Sequence, residues 1–324
     1  MGNSTITLRI DTPSRLHFGI IDMRGDLGRL HGSVGVAIEK PRLILDIKES
    51  SKTNIRGARS SRAKEIIERL MRLYEIPSGV ELAIIEDIPE HMGFGSGTQL
   101  ALALGVALNK IFDLNLTIED IAVKLERSKR SGIGTLGFIH GGFIVDGGHS
   151  VKQLDTVPPL VYRQDFPPDW RFVVCIPAIN RGYSGEKEVI AFKNLAPPPA
   201  DTVSSVARLV LMQMIPAIID EDITLFGDAM TKLDTMFGDY WKNIQGGTYS
   251  HPRIGECVNH LLENGAYGAG QSSWGPALYG LADGEKQASQ LLRVMNEFMN
   301  EGENTGSAFI TSVDNTGAKI TEDA

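Results

Sequence analysis

Strand-like and helix-like runs are mixed along the chain without strict alternation, which predicts an α+β protein of two lobes. Two further observations support this. The 324 residues suffice for two sizeable cores. A stretch over 151–170 carries Pro158-Pro159 and Pro167-Pro168 with little periodicity. It places a boundary near residue 160 and divides the chain into lobes 1–160 and 161–324.

In chain order, residues 5–11 alternate as a strand, and 34–38 form another. A third covers 42–48, with Leu43, Leu45 and Ile47 on one face. Residues 62–75 form an amphipathic helix, with Ile66, Leu70 and Leu73 at helical spacing. A strand over 80–88 leads into a helix over 100–108, and a further helix starts near Thr117, where Thr117 and Asp120 approximate a capping box. Residues 131–150 are glycine-rich around a strand at 138–146. The second lobe opens with a strand at 171–177, and Pro197-Pro198-Pro199 precedes helices over 202–219 and 222–236. A glycine loop at 265–276, a strand at 277–281, a helix at 285–300 and a strand at 308–313 close the chain.

Between the strand at 80–88 and its helix lies Pro89-Glu90-His91-Met92-Gly93-Phe94-Gly95-Ser96-Gly97-Thr98. Glycines let a backbone approach a ligand closely, and the free amides of a helix's first turn suit an anion. Gly93, Gly95, Ser96, Gly97 and Thr98 are therefore candidate phosphate-binding residues, against the plainer reading of a glycine-rich turn. The loop has no lysine, so it is not the P-loop of nucleotidases, and its G-x-G-x-G is not the dinucleotide fingerprint. A G-x-G-x-x-G at Gly132, Gly134 and Gly137 follows a basic segment rather than a strand, which excludes a Rossmann reading.

Hydrophobic residues make up 42% and charged residues 22%, as in ordinary globular proteins. A net charge of −8 offers no basic footprint for nucleic acid. No run approaches 18 apolar residues and no signal peptide opens the chain, so the expectation is a cytoplasmic protein without a membrane span. Cys175 and Cys257 stand alone, with no zinc-type spacing, and Cys175 sits in an apolar run as a core thiol.

Four other segments could carry chemistry. In 13–29, Arg15, Arg24 and Arg29 could grip phosphate or carboxylate, and Asp22 and Asp26 could hold a metal or counter the arginines. The plainer reading is a solvated loop, with His17 a structural histidine. Arg127 to Arg130 before Ser131-Gly132-Ile133-Gly134 reads as a helix end complementing its dipole. Gly268-Ala269-Gly270-Gln271-Ser272-Ser273-Trp274-Gly275-Pro276 allows close backbone approach, and 241–250 is a polar loop with aromatics. Glycine-rich loops spread over both lobes suggest one shared cleft.

This arrangement resembles the GHMP superfamily of small-molecule kinases, in which a P-x-x-x-G-[LF]-G-S-[SG] phosphate loop opens a helix and a glycine-rich loop comes late. Many members carry an S-G-[IV]-D segment whose aspartate activates the phosphate acceptor; here Ser131-Gly132-Ile133-Gly134 has glycine at that position. The closer resemblance is to the β-ribofuranosylaminobenzene 5′-phosphate synthase family, a non-kinase branch. It is carried by Ser14-Arg15-Leu16-His17-Phe18, Ile21-Asp22-Met23, Leu27-Gly28-Arg29, the run from Gly141 to His149, Gln245-Gly246-Gly247 and the run from Gly268 to Pro276.

The resemblance implies a GHMP-type fold, with an N-terminal lobe like ribosomal S5 domain 2 and a ferredoxin-like C-terminal lobe. It also implies magnesium without an organic cofactor and a homodimer. The implied reaction joins phosphoribosyl pyrophosphate to 4-aminobenzoate or 4-hydroxybenzoate, releasing carbon dioxide and pyrophosphate, in tetrahydromethanopterin synthesis. On that reading Arg15, His17 and Asp22 are catalytic, with His17 assisting proton transfer at the para group. Ser14, Arg24, Arg29, Gly270, Gln271, Ser272 and Ser273 bind substrate, and Asp146 is a magnesium ligand. The competing readings are an ATP-dependent GHMP kinase and a non-catalytic sugar-phosphate-binding protein.

Overall fold

The computed structural model describes residues 6–179, 196–300 and 305–323. Its backbone is a long antiparallel pair, β1 (Thr7–Asp22) and β2 (Arg29–Ser50). The sequence suggests short strands there and a loop over 13–29. The observed ladder runs from Leu8 opposite Ile47 to Asp22 opposite His31, with register shifts at Pro13/Ser14 and His17/Gly19. Each shift swaps the face that side chains take, so the two-residue alternation that reveals a strand is broken where the strand continues.

β2 also pairs with β4 (Gly79–Glu86), which runs parallel to β3 (Asn54–Arg56). The short strands β5 (Phe143–Asp146) and β6 (His149–Ser150) lie on β2 as well. β7 (Leu160–Gln164) pairs with β5. The chain's last strand, β12 (Lys319–Asp323), returns to pair with β1. The first sheet therefore takes its final strand from far beyond residue 160.

Helices α1 (Ser60–Leu73), α2 (Ser96–Ile111), α3 (Ile118–Lys124) and α4 (Ile133–His140) complete this lobe. α2 is buried almost all round from Gln99 to Leu108, as its unbroken apolar sequence requires. α3 carries the capping box of Thr117 and Asp120. The strand expected over 138–146 is instead the end of α4 followed by β5. A short apolar run cannot distinguish the two states, and the break comes from Gly141 and Gly142 at φ +60° and +79°.

The second sheet is antiparallel, in the order β11 (Ser307–Thr311), β8 (Trp170–Ile176), β10 (Leu278–Asp283), β9 (Gly268–Gln271). β9 occupies part of what reads as a glycine loop. Helices α5 (Ala200–Leu209) and α6 (Ile215–Ile219) join through a π-helical turn (Val210–Met214). This Ala200–Ile219 stretch is long and apolar enough, at a mean hydropathy of 1.6, to cross a membrane by composition alone. Here Val206, Val210, Met214 and Ala217 bury one side of it.

α7 (Ile223–Gln245) is longer than expected and absorbs part of the polar loop at 241–250. α8 (Pro252–Glu263) escaped the sequence reading, although Pro252 opens it and Ile254, Val258 and Leu261 line its buried side. α9 (Gly284–Met299) matches the expected helix. Cys175 and Cys257 are both buried thiols in the cluster beneath α8 and α9.

One core joins the two lobes. Phe18 of β1 meets Tyr279 of β10 at 5.2 Å between ring centroids, and Phe166 and Phe143 each approach Phe226 of α7 at 5.5 and 5.6 Å. The loops between the lobes are thus held by packing on both sides.

Candidate active site

The turn from β4 into α2 is set by glycines. Gly93 has φ +96°, and a Cβ there would lie 2.3 Å from the Ser272 carbonyl oxygen, so the close approach of the two loops requires glycine. Gly95 is the left-handed N-cap of α2, with no side chain capping the helix and no acidic residue in its first turn. The Thr98 amide donates to the Gly95 carbonyl at 3.0 Å, and the Ser96 and Gly97 amides are left to serve an anion.

Four segments close around that end. They form a cavity of about 220 Å³ lined by Arg15, His91, residues 93–98, Arg127, Ser273, Trp274 and Gly275. The Arg15 amide donates to the Phe94 carbonyl at 3.1 Å, and its guanidinium donates to the Gly93 carbonyl and lies over Gly95. The late loop is stitched to both. The Ser272 hydroxyl donates to the Gly93 carbonyl at 2.7 Å and accepts from the His17 amide at 3.1 Å. The Ser273 amide donates to the His17 carbonyl at 3.3 Å. A Cβ on Gly275 would lie 2.2 Å from the Gly93 nitrogen.

Of the sequence candidates, Arg15, Gly93, Gly95, Ser96, Gly97, Thr98 and Ser273 line this cavity. The others lie elsewhere. Gln271 is buried and bonded to the Ser250 amide and hydroxyl and to the Gly275 carbonyl. Its own amide donates to Asp234 at 3.0 Å. Gly270 packs directly on Asp234, since a Cβ would meet its Cγ at 2.7 Å. These residues and Ser272 build the loop, and their hydrogen-bonding groups face protein.

His17 is buried with its ring toward Phe237, at 6.4 Å between centroids. Burial, reinforced by the Arg15 charge, holds its pKa down at about 3, so the imidazole is neutral near pH 7. Ser14 is likewise buried on β1. Asp22 accepts from the amides of Arg24 and Gly25 at 2.6 and 3.0 Å and so ties the β1–β2 turn. Arg24 bonds Asp26 at 2.5 Å and the Pro198 carbonyl at 3.0 Å, while Arg29 bonds the carbonyls of Gly147 and Gly148 at 2.6 and 2.5 Å. None of these five lines the cavity.

Asp146 is buried, and its two oxygens accept from the Gly132 amide at 2.8 Å and the Gly148 amide at 2.9 Å. Burial pushes its pKa up to about 6 despite these bonds. Among the described residues no three His, Cys, Asp or Glu side chains converge on a metal position. The cavity lining holds two arginines and no carboxylate. This donor set does not fit a resident magnesium ion.

Two residues gain meaning only in three dimensions. Arg127 joins the cavity although it reads as a helix end in the sequence; its only signal there is its place just before Ser131-Gly132-Ile133-Gly134. Gly134, at the position of the kinase-type aspartate, faces the phosphate loop, and its Cβ would lie 3.2 Å from the Thr98 methyl carbon. A side chain there would point at the anion loop, and this chain has none.

Comparison with known proteins follows the same lines. The GHMP kinases N terminal domain family matches residues 61–142, and the GHMP kinases C terminal family matches 214–301. Two homoserine kinase structures share the fold. That from Cytophaga hutchinsonii has a TM-score of 0.69 at 16% identity, covering 99% of both chains. The putative one from Listeria monocytogenes has 0.70 at 20%, covering 98% of this chain and 100% of that one. Two sequence relatives are named β-ribofuranosylphenol 5′-phosphate synthase. That of Archaeoglobus fulgidus is 34% identical across 97% of this chain and 99% of its own length. That of Methanocaldococcus jannaschii is 33% identical across 96% and 99%. Identity at this level, sustained from end to end and through both matched domains, makes this chain a member of the β-ribofuranosylphenol 5′-phosphate synthase family, built on the GHMP kinase fold.

Proposed function

We propose that this protein catalyses decarboxylating C-ribosylation, joining the anomeric carbon of phosphoribosyl pyrophosphate to a para-substituted benzoate. The observation that carries this reading is the end-to-end similarity to synthases of that name. Their named product is a phenol, so 4-hydroxybenzoate is the proposed acceptor rather than 4-aminobenzoate. The product would enter tetrahydromethanopterin synthesis.

The bond from the anomeric carbon to the pyrophosphate oxygen breaks, and the electron pair leaves with pyrophosphate. The para oxygen pushes electrons into the ring. The ring carbon bearing the carboxylate then bonds the anomeric carbon. Loss of carbon dioxide returns the carbon–carboxylate pair to the ring. The reaction needs no net proton and no organic cofactor.

The work left to the protein is to hold the anion, orient the ring and exclude water. Residues 93–98 and Arg15 supply amides and a guanidinium for the diphosphate. A helix terminus contributes only about 0.3–1 kcal/mol to an exposed charge, so guanidinium contacts must carry more. Magnesium is proposed to arrive as the counter-ion of the donor. Trp274 gives the cavity an apolar wall. The reading includes a homodimer in the cytoplasm, which sedimentation and cell fractionation would check.

The test is incubation with magnesium, phosphoribosyl pyrophosphate and each carboxyl-labelled benzoate in turn. Stoichiometric labelled carbon dioxide and pyrophosphate, faster with 4-hydroxybenzoate, are expected. ATP consumption with a phosphorylated product and no carbon dioxide would replace this reading with a kinase.

A further inference from the structure

The glycine loop and Arg15 do not account for all the positive charge at the cavity. Arg127 also lines it, half-buried, and its Nη1 lies 3.5 Å from where a Cβ on Gly97 would stand. Its Nε donates to the Leu125 carbonyl at 2.8 Å, which fixes the guanidinium plane. Among the described residues Arg127 makes no ion pair, and the adjacent Glu126 is engaged by Arg69 at 3.7 Å and Lys129 at 3.6 Å.

The surroundings are electropositive. Burial, with Arg62 and Arg69 nearby, pulls the Arg127 pKa below its ordinary value against the opposing charge of Glu126. A partly desolvated guanidinium with no carboxylate in ion-pair contact is costly unless an anion completes it. The backbone beside it is also held in an unfavourable form, with Glu126 and Ser128 at φ +59° and +60°.

We propose that Arg127 is a second anion-binding residue of this cavity, gripping the diphosphate of the donor from the Gly97 side while Arg15 holds it from the Gly95 side. This rests on the reading above, in which the cavity takes phosphoribosyl pyrophosphate. Two guanidinium groups and a helix N-terminus on one small cavity match the dense charge of a diphosphate better than that of a sugar monophosphate. Anchoring Nε to a carbonyl leaves the two terminal nitrogens for bidentate contact, a geometry that lysine does not reproduce.

The experiment is calorimetric titration of the full chain with inorganic pyrophosphate and, separately, with ribose 5-phosphate. Wild type, Arg127→Gln and Arg127→Lys are compared, each with its thermal midpoint recorded. Arg127→Gln is expected to weaken pyrophosphate binding by about tenfold or more, the scale of one charge-assisted contact, and to shift ribose 5-phosphate by less than about twofold. Arg127→Lys should fall between. Unchanged pyrophosphate affinity in Arg127→Gln overturns the inference, as does an equal loss for both ligands, which would mark a diffuse charge effect. A wild-type chain that binds no pyrophosphate removes the cavity reading itself.

Discussion

Asp234 is a carboxyl enclosed between α7 and β9, and its environment gives it a measurable signature. Its Oδ1 accepts the Gln271 amide, while Tyr249 and Tyr279 lie beside it. Burial raises its pKa from 3.8 to about 8. Between those values the unfolded carboxyl is ionised and the folded one keeps its proton. Folding then binds a proton, and stability falls as pH rises, at up to about 1.4 kcal/mol per unit. His17 and His31, lowered to about 3 and about 4, and His140 and His149, also lowered, act with the opposite sign and fade about one pH unit above 6.5, as the unfolded imidazoles finish losing their protons. Asp146, raised to about 6, fades within about one unit above that value. From about pH 7.5 to 8, once those groups have faded, Asp234 is therefore the main contributor. Urea midpoints should fall across that window in the wild type, and Asp234→Asn, which keeps an acceptor for Gln271, should flatten the fall. A wild-type midpoint that stays level would remove the argument.

At the scale of elements, the late loop is only as well placed as the helix beneath it. α7 lies against β9 with backbone nearly touching backbone. A Cβ on Gly227 would stand 2.2 Å from the Tyr267 carbonyl oxygen, and one on Gly268 would stand 2.2 Å from the Gly227 carbonyl oxygen. Thr231 adds a hydrogen bond to the Ala269 amide at 2.9 Å. Glycine is thus required on both surfaces for contact, although neither carries a positive φ. Gly227→Ala must push the helix from the strand, and overpacking of this kind costs about 1–3 kcal/mol. Chemical unfolding should show that loss together with a raised KM for the donor, because Ser273 and Gly275 move with β9. Wild-type stability in the variant would mean that the helix shifts freely.

At the scale of the molecule, the two lobes are joined by the aromatic core and by several hydrogen bonds, among which the Ser272 hydroxyl makes two. Ser272 links β1, through the His17 amide, to the phosphate loop, through the Gly93 carbonyl. Ser272→Ala leaves the buried His17 amide short of its acceptor and takes one of two donors, the other being Arg15, from the Gly93 carbonyl, which costs about 1–3 kcal/mol. The expected result is that loss in thermal or urea unfolding with weaker donor binding; undiminished binding would mean that the loop is held by packing alone. Much of this was legible beforehand. The α+β class, the anion loop over 93–98 and the late glycine loop follow from local chemistry: glycine's backbone freedom, helix capping and apolar periodicity act over a few residues. The long β1–β2 pair was hidden because its register shifts break the alternation, and α4 because a short apolar run suits helix and strand equally. The membership of the site was not local at all. His17, Asp22, Arg24 and Arg29 read like Arg15, yet the fold spends them on burial and on backbone amides and carbonyls of loops and turns. Arg127, some thirty residues from the loop in sequence, joins the cavity. By itself the sequence determined that an anion loop exists and which residue types could serve it. Only the tertiary structure decided which of them face it, because charge and hydrogen-bond capacity are consumed by neighbours that only folding brings together.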